Sequence, residues 1–209
     1  PTNVSKLEHL QNLPSASTKR LKFFKADLLE QNSYQDAMKD CKIVFHTASP
    51  FVTSVKDPTK DLIVPAVQGT KNVLLTCCGT SSVRRFVLTS STTAIHTDAR
   101  ESSQEKPLTE DDWNRTASLA YQPYNLSKTL AEQAAWVIAG SQTQWSLVVI
   151  NPSLIMGPGV KCHSNAESFQ LLKRLGTMPA IPNFCFGVFV VRDVVLAHVL
   201  VAFDQNHSG

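Results

Sequence analysis

Short apolar runs alternate with amphipathic stretches along the whole chain, and no internal repeat or low-complexity segment interrupts this alternation. The apolar runs predict β-strands over residues 20–28, 42–48, 84–91, 145–153 and 185–191. The stretches with helical periodicity predict helices over residues 4–13, 33–41, 58–78 and 166–175, a helix that begins near Pro123 and a last helix that ends at Phe203. Because apolar strands alternate with helices, we expect an α/β fold built on a doubly wound parallel sheet.

Polar or turn-forming residues stand at the ends of the predicted strands. The strands end, in chain order, at Asp27-Leu28, Thr47-Ala48-Ser49, Ser90-Ser91 and Asn151-Pro152-Ser153. The carboxyl ends of parallel strands lie at one edge of the sheet, and ligands of open α/β folds bind there. The sequence therefore predicts a ligand site along this edge.

The composition narrows the class of protein. The 209 residues are 43% hydrophobic and 18% charged, which is ordinary for a soluble globular protein. The net charge of +3 comes from scattered Lys and Arg, so nucleic acid is not an expected partner. No run approaches the roughly 18 apolar residues of a membrane span, and the first residues are too polar for a secretory signal. We therefore expect a cytoplasmic protein that does not bind membranes.

The five cysteines are odd in number and show no metal-ligand spacing. The adjacent pair Cys162-His163 could suggest a ligand or a nucleophile, but neighbouring residues do not easily bind one metal ion together. We expect reduced thiols that mostly pack in the core, and no metal site.

A dinucleotide-binding fold opens with a strand, a glycine-rich turn and a helix whose N-terminus receives the pyrophosphate. None of these precedes the helix predicted over residues 4–13. We expect the chain to be an internal part of a longer protein, without the first βαβ unit and the C-terminal part of the substrate region. Residues 1–156 are predicted to be a partial dinucleotide-binding domain, and residues 157–209 to start a substrate-binding region interleaved with the last sheet elements. The 209 residues alone are expected to be inactive.

Tyr124 and Lys128 open the helix that begins near Pro123. At helical spacing they are about 40° apart, on the same face as the small residues Ala131 and Ala135. A lysine ~5 Å from a phenol contributes about 3 kcal/mol at an effective dielectric of ~20, so we expect the tyrosine pKa to fall by about two units. Such a tyrosine could donate a proton to an alkoxide formed by hydride transfer to a carbonyl, and Ser91 could hold the oxygen.

Each of these residues also has an ordinary structural explanation. A Tyr/Lys pair at this spacing can be a solvent-exposed helix pair, and a serine at a strand end commonly caps a turn. The order of features favours the catalytic interpretation. An acidic strand end, a strand end of small residues and a Ser-rich strand end precede the Tyr-x-x-x-Lys helix.

Blocks along nearly the whole chain resemble the extended short-chain dehydrogenases/reductases, and within them the dihydroflavonol reductase and cinnamoyl-CoA reductase group. The blocks are PTNVSKLEHL, KADL, VFHTASP, DPTKDLIVPAVQGTKNVL, VRRFVLTSS, YNLSKTLAEQAAW and NPSLIMGP. The resemblance implies a Rossmann-like fold of the epimerase/dehydratase superfamily. It also implies a catalytic triad of Tyr124 as proton donor, Lys128 on the nicotinamide ribose and Ser91 on the carbonyl.

The resemblance further implies which residues contact a nicotinamide cofactor. Asp27 and Leu28 would lie at the adenine, and Thr47, Ala48 and Ser49 along the cofactor backbone. Pro152, Ser153, Leu154 and Ile155 would lie beside the nicotinamide, and Thr89, Ser90, Tyr124 and Lys128 complete the set. Lys6 matches a basic residue near the 2′-phosphate of NADP, although a solvated helix lysine explains it nearly as well. NADP is the expected cofactor, with NAD possible.

The expected function is therefore NAD(P)H-dependent reduction of a carbonyl in a small-molecule substrate. A sugar-nucleotide epimerase or dehydratase shares the Tyr/Lys chemistry, and a cofactor-sensing binding protein on the same fold is a further alternative. Residues 92–120 and 157–186, expected to shape the substrate pocket, follow no substrate-specific pattern. The substrate and the oligomeric state stay open.

Overall fold

The structure is a computed structural model that describes residues 7–18, 20–48, 55–159, 167–179 and 187–204. The helices of these residues are α1 (Glu8–Gln11), α2 (Pro14–Ser17), α3 (Gln35–Met38), α4 (Val64–Cys78), α5 (Pro123–Gly140), α6 (Glu167–Thr177) and α7 (Val191–Phe203). The strands are β1 (Ile43–His46), β2 (Arg85–Thr89), β3 (Ser146–Ile150), β4 (Leu154–Met156) and β5 (Val188–Val190). A π-helical turn (Thr59–Ile63) leads into α4, and two 3-10 turns (Thr92–Ala94 and Ala99–Glu101) follow β2.

The main sheet is parallel, with β2 in the centre between β1 and β3. Phe86, Val87 and Leu88 of β2 are all buried, as expected for a strand that is covered on both faces. A second parallel sheet pairs β4 with β5. The expected α/β fold with parallel sheets is confirmed.

The core lies between the main sheet and the helices α3, α4 and α5. Phe86 is 0% exposed, and its ring lies between those of His46 and Trp145, with centroid distances of 6.0 and 5.9 Å. Leu74 and Ala135, from α4 and α5, join the same cluster. The alternating side chains of β2 place Val87 on the other face of the sheet, where α7 packs.

Two predicted strands differ in the structure. Residues 20–28 form no strand with the described residues, because extended backbone needs a neighbouring ladder and the edge of β1 does not pair with this segment. The strand predicted over residues 145–153 ends at Ile150, and pairing resumes at Leu154 in the second sheet. Pro152 lies in this break and has no N–H to donate to a ladder.

Four predicted helices have different bounds, and the one predicted over residues 33–41 is limited to Gln35–Met38. The helix predicted over residues 4–13 begins at Glu8 in the described part and gives way to α2 at Pro14. The segment from Pro58 opens as a wide π-helical turn, because Pro65 has no N–H for the carbonyl of Asp61. The helix predicted to end at 175 extends to Thr177. None of the described helices is both long and apolar enough to cross a membrane.

We expect Phe86→Ala to lower the free energy of unfolding by about 3–5 kcal/mol, because it removes the ring that packs on His46 of β1 and on Trp145 directly before β3. Urea denaturation would measure the loss. The matched control is Phe203→Ala, since Phe203 is 69% exposed at the end of α7 and its replacement should cost less than about 1 kcal/mol. Equal losses in the two variants would contradict this placement of the core.

Candidate functional site

Helix α5 and the end of β2 place the three predicted catalytic residues. Pro123 opens α5, where its fixed φ suits the first turn, and Tyr124 and Lys128 follow on the same face of the helix. Ser91 comes directly after β2 and caps a 3-10 turn, with its Oγ accepting a hydrogen bond from the Thr93 N–H at 3.2 Å. The serine therefore has the ordinary capping role and a position at the carboxyl edge of the sheet.

The three residues line one cleft of about 540 Å³. Its other lining residues are Thr89, Ser90, Thr92, Thr93, Pro152, Ser153, Leu154, Ile155, Ser168 and Leu171. Ser91 and the segment after β3 form one side of the cleft, and α5 and α6 contribute the rest. The structure thus brings Ser91, Tyr124 and Lys128 together with six of the residues predicted to contact a cofactor.

Smaller cavities continue from the cleft toward the start of the chain. A narrow gap of about 10 Å³ shares Thr89, Ser90 and Lys128 with the cleft and reaches Leu28 and Ala48. A further cavity of about 420 Å³ is lined by Ala26, Asp27, Leu28, Leu29, Tyr34 and Pro65. Neighbouring cavities share lining residues, so most of the predicted residues from Asp27 to Ile155 line a path of adjacent cavities.

Three predicted residues lie off this path or outside the residues that the structure describes. Thr47 is exposed just after β1, beside Ala48. Lys6 and Ser49 lie outside the described residues. Their proposed contacts stay predictions.

Several residues of the path were not predicted from the sequence. On α4, these are Pro65, Ala66, Gly69 and Thr70, and on α5 they are Ala131 and Glu132. Glu132 stands one turn after Lys128, so the same helical spacing that relates Tyr124 to Lys128 could have found it. The α4 residues gave no such signal, because they reach the path only through packing of α4 beside α5.

Burial shifts the pKa values of Tyr124 and Lys128, and the shift of Tyr124 is opposite to the predicted one. Burial raises the pKa of Tyr124 to about 12, whereas we expected Lys128 to lower it. Burial also lowers the pKa of Lys128 to about 8, and the negative charge of Glu132 acts against this decrease. The expected lowering of the tyrosine pKa is therefore wrong for this structure, because loss of hydration on burial raises this pKa. Tyr124 keeps its proton at neutral pH.

Two hydroxyl groups of the site are buried without a hydrogen-bond partner among the described residues. They are Ser90 Oγ, where the gap meets the cleft, and Thr93 Oγ1 in the cleft wall. Buried polar atoms are normally paired, since an unpaired group costs about 1–3 kcal/mol. Thr89, by contrast, is paired, with its Oγ1 2.7 Å from His198 Nε2 of α7.

The chain is similar to known proteins over most of its length. The profile of the 3-beta hydroxysteroid dehydrogenase/isomerase family matches residues 3–206. The cinnamoyl-CoA reductase CAD2 of Medicago truncatula is 36% identical over 212 residues, which cover 100% of this chain and 64% of that relative. The dihydroflavonol 4-reductase of Arabidopsis thaliana is 38% identical over 163 residues, which cover 76% of this chain and 41% of that relative.

A solved structure agrees with the sequence relatives. Gre2 of Candida albicans, in complex with NADPH, is 30% identical to this chain with a TM-score of 0.85. The match covers 99% of this chain and 67% of Gre2. The predicted resemblance to the reductase group is confirmed, and the chain spans less than two thirds of the length of both curated relatives.

His46 should make stability depend on pH. Burial, and then the charge of Lys128, lower the pKa of this histidine from 6.5 to about 4. Between about pH 4 and pH 6.5, His46 therefore binds a proton in the unfolded chain but not in the folded protein. The free energy of unfolding therefore decreases as pH falls from about 6.5 to about 4. We expect His46 to account for about 2–3 kcal/mol of lost unfolding free energy between pH 7 and pH 4.5.

Urea denaturation of the native protein and of His46→Asn, each at both pH values, would measure this contribution. The difference between the two pH values should be smaller by that amount in the variant. An unchanged difference would show that His46 is not held neutral in the folded protein.

Proposed function

Because the chain belongs to the 3-beta hydroxysteroid dehydrogenase/isomerase family, we propose that it forms the catalytic part of an NADPH-dependent reductase. The reaction is reduction of a ketone or aldehyde carbonyl in a small organic molecule. The observation that carries the proposal is the shared cleft of Ser91, Tyr124 and Lys128, which continues as a path of cavities to Asp27.

The residues along the path fit an extended dinucleotide. Gly69 supports this fit, because a Cβ at this position would lie 3.2 Å from Cδ2 of Leu28, in the narrow gap between the two larger cavities. The absence of a side chain at Gly69 allows Leu28 to pack this closely against α4. Asp27 and Leu28 would hold the adenine end, and Tyr124, Lys128 and the segment from Pro152 to Ile155 the nicotinamide end.

NADPH supplies the hydride when it is bound. As the carbonyl carbon gains hydride, the two π electrons of the carbonyl move onto its oxygen. Ser91 donates a hydrogen bond to this oxygen, and Tyr124 gives it a proton to form the alcohol. Lys128 lies one turn from Tyr124 and stabilises the phenolate that remains, until solvent returns the proton.

The lining of the cleft favours substrates with an apolar part. Leu154, Ile155 and Leu171 contribute apolar side chains to this lining, which also includes the hydroxyl groups of Thr92 and Ser168. Such a lining binds by removing apolar surface from water, and the few hydroxyl groups orient the ligand.

In the full-length protein, we expect Tyr124→Phe to lower kcat by about 10²–10⁴-fold, because only the proton donor is lost. NADPH affinity should stay within about threefold, since the aromatic ring keeps its volume. Lys128→Ala should impair both turnover and NADPH binding. Absorbance of NADPH during reduction of a panel of aryl and alkyl aldehydes and ketones measures turnover, and calorimetric titration measures affinity.

A Tyr124→Phe variant that keeps more than a tenth of the native kcat would contradict the role of Tyr124. NADP⁺ released in equal amount to alcohol distinguishes a reductase from an epimerase or dehydratase, which retains its nicotinamide through each cycle. NADPH binding without turnover of any carbonyl in the panel would favour a cofactor-sensing protein.

Gly69→Ala tests the cofactor path separately from the chemistry. The new methyl group forces Leu28 to move by a few tenths of an ångström, so we expect the Kd for NADPH to rise about fivefold, or about 1 kcal/mol. Alanine also favours the helix by about 1 kcal/mol relative to glycine. This gain offsets the cost of moving Leu28, so thermal stability should change little.

The matched control is Gly79→Ala at the end of the same helix. A Cβ at Gly79 would meet backbone oxygens at ordinary distances of 3.6 and 3.8 Å. NADPH affinity should be unchanged in this control. Equal affinities for all three proteins would place the cofactor away from the gap at Gly69.

A further inference from the structure

Glu132 is a buried carboxylate beside the proposed catalytic residues. It stands one turn after Lys128 on α5, is 6% exposed, and lines the gap together with Lys128 and Ser90. Its Oε2 accepts a hydrogen bond from Asn151 Nδ2 at 2.8 Å, and its Oε1 accepts one from Trp136 Nε1 at 3.4 Å. A carboxylate is retained inside a protein only with such partners, because burial alone penalises the charge.

Asn151 connects this carboxylate to the end of β2. The same Nδ2 that donates to Glu132 also donates to the backbone carbonyl of Ser91, at 3.2 Å. An amide nitrogen has two hydrogen atoms to donate. A carboxylate oxygen and a backbone carbonyl oxygen can only accept, so the two contacts define the orientation of the amide. The chain of contacts runs from α5 through Asn151, just after β3, to the residue that caps the turn after β2.

We propose that Glu132 and Asn151 are positioning residues of the reductase site: Glu132 places a negative charge one turn from Lys128, where both residues line the gap, and Asn151 links Glu132 to Ser91 and fixes the place of that serine. The proposal rests on the proposed function for its kinetic consequences. The contacts that carry it involve only side chains and backbone atoms of the described residues.

The electrostatic surroundings of Lys128 single out Glu132. Among the described residues, the titratable groups placed near Lys128 are Tyr124, which lines the same cleft, Glu132 on the same helix and His46 from β1. His46 and Tyr124 are both neutral near pH 7 because of their shifted pKa values. The π-helical turn and α4 also pack on α5 and carry Lys60, Asp61 and Lys71, while β3 and the first 3-10 turn carry no charged residue. Burial and Glu132 are the influences that act on the pKa of Lys128.

Glu132→Gln isolates the charge, because a glutamine oxygen can still accept the hydrogen bond from Asn151. Loss of the negative charge should lower the pKa of Lys128 further. The alkaline limb of the pH profile of kcat/KM should therefore move to lower pH, with about a tenfold loss at pH 8 and within about threefold of native at pH 6. NMR titration of the Lys128 Cε in ¹³C-lysine-labelled protein, assigned with Lys128→Arg, follows the same ionisation without turnover.

Asn151→Ala isolates the link to Ser91 and leaves the carboxylate of Glu132 in place. We expect kcat to fall about tenfold at every pH, with NADPH affinity within about threefold of native. The Lys128 titration should move less than in Glu132→Gln. This separation of the two variants is the signature of two roles, since general loosening of the fold would affect both measurements in both variants.

Glu105→Gln is the control for removal of one negative charge, because Glu105 is exposed in the loop after the second 3-10 turn. It should leave the Lys128 titration and the pH profile unchanged. A Glu132→Gln protein that melts like the native one and keeps the native Lys128 titration would overturn the proposal. Absence of reductase activity in the native full-length protein would instead overturn the proposed function, while the titration would still test the influence of the Glu132 charge on Lys128.

Discussion

The buried ammonium of Lys128 imposes the constraint on which the rest of the site depends. The residue is 8% exposed, and burial of a charge is costly unless an opposite charge or hydrogen bonds compensate for it. Glu132, one turn later, supplies the negative charge. That carboxylate is buried in turn, so it needs the donors of Trp136 and Asn151. Lys128, Glu132 and the two donors to Glu132 are thus neighbouring polar groups along α5 and just after β3.

The same requirement joins elements that are distant in the sequence. Asn151 can reach both Glu132 and Ser91 only if the end of β3 lies between α5 and the turn after β2. The register between β2 and β3 gives this placement, because Thr89 pairs with Ile150 and both strands end at this pair. Ala131 and Ala135, both buried on α5, allow this helix to approach the sheet closely enough for the side chains of Glu132 and Asn151 to meet. Sheet register and small helix residues are therefore part of how the site is built.

The sequence predicts those parts that depend on local pattern. Helix α5 and strand β2 follow from periodicity and apolar content, and helical spacing with strand-end position brings Tyr124, Lys128 and Ser91 into one cleft. Pairing partners are not local, so residues 20–28 have the composition of a strand but no ladder among the described residues. The pKa of Tyr124 is likewise not local. Spacing gave the lysine as a neighbour, but only the fold shows that both groups are buried and that burial shifts both pKa values.

Burial acts on the two members of the pair in opposite chemical senses. It disfavours the charged form of each group, so Tyr124 holds its proton more firmly while Lys128 holds its proton less firmly. A phenol with a pKa of about 12 is fully protonated at neutral pH and is still far more acidic than the alcohol formed from a newly reduced carbonyl, so proton transfer to an alkoxide stays favourable. The ammonium is the member that burial puts at risk, because a pKa of about 8 leaves little margin above neutral pH. A carboxylate next to the lysine therefore does more for such a site than one next to the tyrosine. Placed by the tyrosine it would oppose the phenolate that forms when the proton leaves, whereas by the lysine it preserves the charge that stabilises that phenolate.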